Sequence, residues 1–270
     1  MPAFIQISDP HIVAEGALVC GHSDTATALR RAVASINERL PALGPIDCAI
    51  VTGDLTDHGT DEEYAHFAQI MADLALPWQA IPGNHDTHDG MRRAFGDEHW
   101  MPAAGPIHWL RDFGPFVVIG LDTVLDGAHH GWLSDYGFAF LDKSLADLNC
   151  HPVIVATHHP WLHSGIPPMD ADNLRNGAAL IERLNSYKGT AKMTSGHVHR
   201  AITGQIGKVC CQIAPSTAHA VHRDVRADAV HAMALEPGCV TLHTWLDAPP
   251  GGFLSDTLQT TARPGVWPFG

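Results

Sequence analysis

The chain has 270 residues, 45% of them hydrophobic and 17% charged, which is material for one large soluble domain or two small ones and unlike a disordered segment. Its formal net charge is -13, and its 16 Lys and Arg are scattered without a basic patch, so a long nucleic acid is excluded as the expected partner. Met1-Pro2 runs straight into Phe4-Ile5-Gln6-Ile7 with no basic leader or long apolar stretch, so neither a signal peptide nor a membrane anchor is expected, and the cytoplasm is the expected compartment.

In chain order, the apolar run Phe4 to Ile7 reads as a strand and releases Ser8-Asp9-Pro10-His11. A helix is expected over Asp24 to Leu40, then a strand over Cys48 to Thr52 that releases Gly53-Asp54-Leu55-Thr56-Asp57. Thr60-Asp61-Glu62-Glu63 carries a capping-box pattern and opens a helix that runs to Leu74. The strand Trp78 to Ile81 is followed by Pro82-Gly83-Asn84-His85-Asp86. Next come a strand over Phe116 to Leu121, a helix over Tyr136 to Leu148, and a strand over Val153 to Thr157 followed by His158-His159-Pro160. A helix over Gly177 to Tyr187 leads to the strand Ala191 to Thr194 and to Ser195-Gly196-His197-Val198-His199. The last third changes character: Ile202 to Ile206, Val209 to Ile213, Ala229 to Leu235 and Val240 to Trp245 read as successive strands with short turns. From Ala248-Pro249-Pro250-Gly251-Gly252 onward the chain is rich in Pro and Gly and lacks periodicity. This divides it into a domain over 1–247 and a tail over 248–270 that drapes the surface or contacts a partner.

Strands alternating with helices, then a meander, suggest α/β layers around two sheets. Five of these strands release Asp, His or Asn at the same end, and in an open α/β sheet that end is where ligands bind, so the five groups are expected in one cleft. Gly53, Gly83 and Gly196 each precede a candidate ligand, where the lack of a side chain permits close backbone approach. A lone D-x-H or H-x-H would more often be a surface or capping element; five in series favour metal. Carboxylate, amide and imidazole without thiolate suit Mn, Fe, Co or Zn. The six cysteines form no C-x-x-C pair and read as reduced thiols packed as small hydrophobes, while the 20 histidines are far more than a fold of this size needs.

The order D-x-H, G-D-x-x-D, G-N-H-D, H-H-P and G-H-x-H, running from Asp9 to His199, resembles the calcineurin-like metallophosphoesterases. Within them it is most similar to the class III cyclic nucleotide phosphodiesterases and the bacterial dinuclear glycerophosphodiesterases. The resemblance implies a four-layer α/β/β/α sandwich with two mixed β-sheets and a centre of two divalent or mixed-valence transition-metal ions. It puts Asp9, His11 and His199 on the first ion, Asn84, His158 and His197 on the second, and Asp54 between them. A hydroxide shared by the two ions would attack phosphorus in line. His85 would face the substrate beside Asn84 and donate a hydrogen bond or a proton.

The ester itself is narrowed by what is missing. A phosphate monoester is close to a dianion and recruits a bidentate arginine, yet Leu55-Thr56-Asp57-His58-Gly59 and Ala80-Ile81-Pro82 contain none. A small phosphodiester is therefore expected: a 3',5'-cyclic nucleotide, a glycerophosphodiester or a related phosphonate ester. A phosphomonoesterase or nuclease on the same centre, and a non-catalytic scaffold, are the alternatives. Ala214-Pro215-Ser216-Thr217-Ala218-His219 resembles the family's region after G-H-x-H and would bring His219 to the leaving group, unless it is a turn histidine. Asp57 is expected either behind a ligand or on the substrate, His159 in loop orientation or packing beside Pro160, and Asp86 as a cap of the next helix or a support of its own loop. His22, His129, His130 and His163 are candidates for the rim. The resemblance also implies a homo-oligomer, a dimer or larger, assembled through the C-terminal portion.

Overall fold

A computed structural model describes residues 1–261 and 267–269. The elements in order are β1 (Ala3–Ile7), α1 (Thr25–Leu43), β2 (Cys48–Thr52), α2 (Asp61–Met71), β3 (Trp78–Ile81), α3 (His88–Phe95), β4 (Trp109–Asp112), β5 (Val117–Leu121), α4 (Asp135–Leu148), β6 (Val153–Thr157), α5 (Pro167–Ala171), α6 (Gly177–Ser186), β7 (Ala191–Ser195), β8 (Ile202–Ile206), β9 (Val209–Ile213), β10 (Ala220–Val221), β11 (Met233–Ala234), β12 (Cys239–Leu246) and β13 (Gly252–Gln259). Helix starts follow local chemistry. Asp24 caps α1 by accepting from Thr27 N at 2.9 Å, and Thr60 and Glu63 form the expected reciprocal box at the start of α2.

Two mixed sheets carry the architecture, ordered β13-β12-β1-β2-β3 and β4-β5-β6-β7-β9-β8. In the first, parallel β1-β2-β3 is extended on one side by the antiparallel β12 and β13; in the second, parallel β5-β6-β7-β9 is flanked on both sides by antiparallel strands, β4 and β8. The parallel strands are buried on both faces, which is why they read as unbroken apolar runs. Their period-2 alternation serves two cores at once. Val118, Ile154 and Ala156 join the cluster that contains the first sheet and α1, α2 and α3, whereas Val117, Ile119, Val153 and Val155 pack with Leu141 and Leu145 of α4 and Leu180 and Leu184 of α6. Helices on one sheet, two sheets face to face and helices on the other give the α/β/β/α sandwich that the resemblance implies.

Two expectations need correction. The strand expected over Ala229 to Leu235 shrinks to Met233–Ala234, because among the described residues its one partner is the two-residue β10 and the residues before it leave the sheets, with Val225 and Val230 exposed. The expected aperiodic tail contains β13, paired with β12 from Cys239↔Gln259 to Leu246↔Gly252. Its Pro-Gly cluster is the turn of a hairpin, and β13 is a largely exposed edge strand, so few of its positions had to be apolar. Residues 262–266 and 270 of that stretch lie outside the described residues. Among the described residues no helix is long and apolar enough to cross a membrane.

Candidate metal centre

The two sheets meet with the C-terminal ends of β1, β2, β3, β6 and β7 on a common crest, and backbone hydrogen bonds tie the loops that leave them. Asp9 N donates to Gly53 O at 3.2 Å, His11 N to Asp54 O at 2.9 Å and Gly196 N to His158 O at 3.0 Å. The loops approach so closely that a Cβ on Gly83 would lie 2.2 Å from Asp54 Oδ1, and one on Gly196 would lie 2.3 Å from Ser8 Oγ. The backbone is also strained here. Asp9, His11, Asp54, His197 and His199 all adopt positive φ, between 45° and 71°, which non-glycine residues rarely do. Such strain gathers at sites whose surroundings over-determine them.

These loops bring all seven candidate ligands together. Asp9, His11, Asp54 and His199 have ligand atoms within 4.8 Å of one another. His11 Nε2 is 3.1 Å from His199 Nε2, and His199 Nε2 is 3.5 Å from Asp9 Oδ1. On the other side His158 Nε2 lies 3.0 Å from Asn84 Oδ1, with the His197 ring 5.1 Å from the His158 ring. Asp54 joins the halves: its Oδ2 is 3.3 Å from His11 Nε2 and 3.3 Å from His158 Nε2. His159 also reaches His158 and His197. Both of its ring nitrogens are engaged, however, with Thr123 Oγ1 at 2.8 Å and His129 O at 3.0 Å. It orients its loop and is not free to ligate.

Three of the candidate histidines hold their Nδ1 on an anchor, which turns Nε2 toward the other candidate ligands at the centre. His11 uses the Asp57 carboxylate at 3.0 Å, His158 the Thr52 carbonyl at 2.9 Å and His199 the His219 carbonyl at 3.2 Å. Histidines that bind metals are oriented in this way. Asp57 therefore stands behind His11, one of the two places the sequence allowed. His197 Nε2 is buried with no hydrogen-bond partner, an atom left for an electrophile.

Electrostatics describe the same demand. Burial pushes the Asp9 carboxyl up to about 6, with neighbouring Asp54 adding to the rise. Burial would also raise Asp54, but His158, His85 and His11 hold it well below the usual carboxylate range. Against the pull of burial, Asp54 and Asp9 lift His158 to about 9, while burial and the charge on His158 press His197 down to about 3. Buried carboxylates are compensated here by protons on imidazoles, and dications with affinity for oxygen and nitrogen would replace those protons. The donor set and the bare His197 nitrogen fit a two-metal centre.

The centre opens into a cleft of about 380 Å³. His85 is half-buried on its floor: its backbone N donates to Asp54 Oδ1 at 2.9 Å and its Nδ1 to Asp57 O at 2.7 Å, so Nε2 is left for the cleft. His219 lines the cleft too, its Nδ1 held by Ser23 Oγ at 3.2 Å and its basicity lowered by burial to about 4. Among the described residues no Lys or Arg lines this space. The far wall includes Val19, Met169, Asp172, Val221, His231 and Met233, none of which sequence reasoning singled out, since they reach the cleft only through the folding of the β1–α1 loop, of α5 and its end, and of the β10–β11 hairpin. Of the four rim candidates only His129 lines the cleft. Asp86 supports its loop: it accepts from Gly83 N at 2.9 Å, Leu55 N at 3.1 Å and Tyr64 OH at 3.1 Å, while Thr87 caps α3.

Residues 2–201 match the family model described as calcineurin-like phosphoesterase. Over 266 residues, 98% of this chain and 96% of the relative, the sequence is 34% identical to a protein described as probable glycerophosphodiester phosphodiesterase GpdQ, from Arcobacter nitrofigilis. It is 31% identical over 214 residues to the 3',5'-cyclic adenosine monophosphate phosphodiesterase CpdA of Pseudomonas aeruginosa, covering 79% of this chain and 75% of that one. Among solved structures, a dimetal phosphatase from Danio rerio has the same fold with a TM-score of 0.60 at 13% identity, covering 96% of this chain and 99% of that one.

Proposed function

The chain belongs to the calcineurin-like phosphoesterases and is a metal-dependent phosphodiester hydrolase, and we propose that its substrates are small diesters of the glycerophosphodiester or 3',5'-cyclic nucleotide kind. In this reading Asp9, His11 and His199 hold one ion, Asn84, His158 and His197 hold the other, and Asp54 serves both. The observation that carries it is the single Asp54 oxygen placed 3.3 Å from an imidazole of each half. The oxygen and nitrogen donors suit Mn, Fe, Co or Zn. Two such ions supply Lewis-acid compensation for the phosphoryl oxygens and an activated water at neutral pH.

The chain's own residues do the rest. His85 presents Nε2 beside Asn84, where it can hand a proton or a hydrogen bond to a phosphoryl or leaving oxygen. His219, neutral through burial, offers a hydrogen bond without adding charge. Val19, Met169, Val221 and Met233 bring apolar surface to the cleft, against which the organic part of a diester would pack. With no guanidinium among the described residues that line the cleft, a monoanionic diester is matched better than a dianionic monoester. The reading takes the protein as a cytoplasmic enzyme with no membrane partner, and as a homo-oligomer assembled through its C-terminal strands. Its test is turnover of bis(p-nitrophenyl) phosphate against p-nitrophenyl phosphate with Mn, Co, Fe and Zn each supplied, followed by cyclic AMP against glycerophosphoethanolamine. Diester turnover should exceed monoester turnover. The reverse order would make the protein a phosphomonoesterase, and two bound ions with no turnover of either would make it a scaffold.

A further inference from the structure

Between the two sheets Phe4, Phe113 and Phe116 pack together, and beside them runs a file of polar side chains that the chemistry above does not use. It begins at Lys192 in β7, which is 5% exposed and has no carboxylate among its described partners. Its ammonium donates to Gln212 Oε1 at 2.8 Å and to Ser255 Oγ. Ser255 Oγ is 2.8 Å from His243 Nδ1, and His243 Nε2 is 2.8 Å from Gln6 Oε1. Gln6 Nε2 donates to Thr52 Oγ1 at 2.8 Å, Thr52 Oγ1 to Ser8 Oγ at 2.9 Å, and Ser8 Oγ to Asp9 Oδ2 at 2.5 Å.

The Gln6 amide sets the direction of the links, and of the two acceptors of Thr52 Oγ1 the Ser8 hydroxyl at 2.9 Å is nearer than the Ile7 carbonyl at 3.5 Å. Gln6 Nε2 also faces the Ser195 carbonyl at 3.3 Å, and Thr194 Oγ1 donates to Gln6 Oε1 at 2.7 Å, so the amide cannot be turned over. His243 must then carry its proton on Nε2 and accept at Nδ1; burial, with Lys192 beside it, keeps that ring neutral. All donors point from the cation toward the carboxylate. Chains of this kind strengthen one another in a medium of low dielectric.

We propose that Lys192 is a positioning residue for the metal centre: through this one-way chain it holds Asp9 Oδ2, so that Oδ1 is turned to the ion. The inference rests on Asp9 being a ligand. Oδ1 does face the centre, where it accepts from His197 N at 2.9 Å and lies 3.5 Å from His199 Nε2. The Gln6 amide carries polarity and no proton, so Lys192 takes no part in acid-base chemistry. Burial brings its ammonium down to about 8, which keeps it charged at neutral pH.

Mn(II) binding, followed by competition with a chelating dye, tests this in Lys192→Met, Thr52→Val, the double variant and Asp9→Asn. Thr52→Val removes the central hydroxyl and keeps the backbone carbonyl on which His158 rests. Lys192→Met and Thr52→Val should each weaken one of the two ions by about tenfold, and Asp9→Asn should lose that ion. The double variant should be no weaker than Thr52→Val, because among the described residues the hydrogen-bonded route from Lys192 to Asp9 passes through the Thr52 hydroxyl. Unchanged affinity in Lys192→Met, or additive losses in the double variant, with the ion lost in Asp9→Asn, would overturn the chain and leave the ligand set standing. Unchanged affinity in Asp9→Asn would overturn the ligand set and the inference with it. Lys192→Gln, which keeps a donor without charge, serves the same comparison if the methionine variant does not fold.

Discussion

Replacing Asp54 by asparagine is the most direct test of the centre. The side chain keeps its shape, its Oδ1 can still accept from His85 N, and asparagine tolerates the φ of 50° at this position better than alanine would. What changes is one negative charge beside both halves of the site. A unit charge about 4 Å away at an effective dielectric of about 20 is worth about 4 kcal/mol. At about 1.4 kcal/mol per decade, that is close to a thousandfold in affinity, and a dication doubles the attraction before desolvation is counted. The variant should therefore keep at most one ion per chain after gel filtration, measured by elemental analysis, and turn over bis(p-nitrophenyl) phosphate at least a thousandfold more slowly. The variant should still fold, with a lower thermal melt without metal, because the residue lies outside both apolar cores but its buried charge is paired with His158 and His11. A variant with two ions and full turnover would refute the shared role of Asp54.

His85→Ala should lower turnover by about 10²- to 10⁴-fold while two ions remain bound, since its Nε2 serves the substrate side; loss of an ion in that variant would make His85 a structural neighbour instead. Asp57→Asn takes the carboxylate from His11 Nδ1 and should weaken Mn(II) binding by about 10- to 100-fold. Unchanged binding there would show that His11 needs no such anchor.

The chemistry of the site was legible because its ligands sit directly after fully buried parallel strands, whose apolar runs are the clearest signal in the chain. Glycines at the same junctions marked where the loops pack against one another. What sequence left open is held by contacts across long separations. Asp57 lies 46 residues from His11, and nothing local distinguishes a carboxylate behind a ligand from one on the substrate. Lys192, in a strand buried along its whole length, gave no hint of its file of partners, whose members come from both sheets. The β12–β13 hairpin was hidden for another reason: an exposed edge strand has few positions that must be apolar, so its eight residues lack the alternation that betrays a half-buried strand.

The division of the cleft along the chain has its own consequence. Every candidate ligand lies at or before His199, whereas His219, Val221, His231 and Met233, which face them, arrive only after it. Part of the wall that faces the ligands is thus encoded apart from them and is brought to them by a hairpin of two-residue strands. On the proposed function, substitutions at the Val221, His231 and Met233 side chains are expected to change which alcohol is accepted with the metal ligands retained, whereas the His219 carbonyl has to stay on His199 Nδ1. Exchanging those three side chains between relatives is a route to retargeting one hydrolytic engine to a different diester.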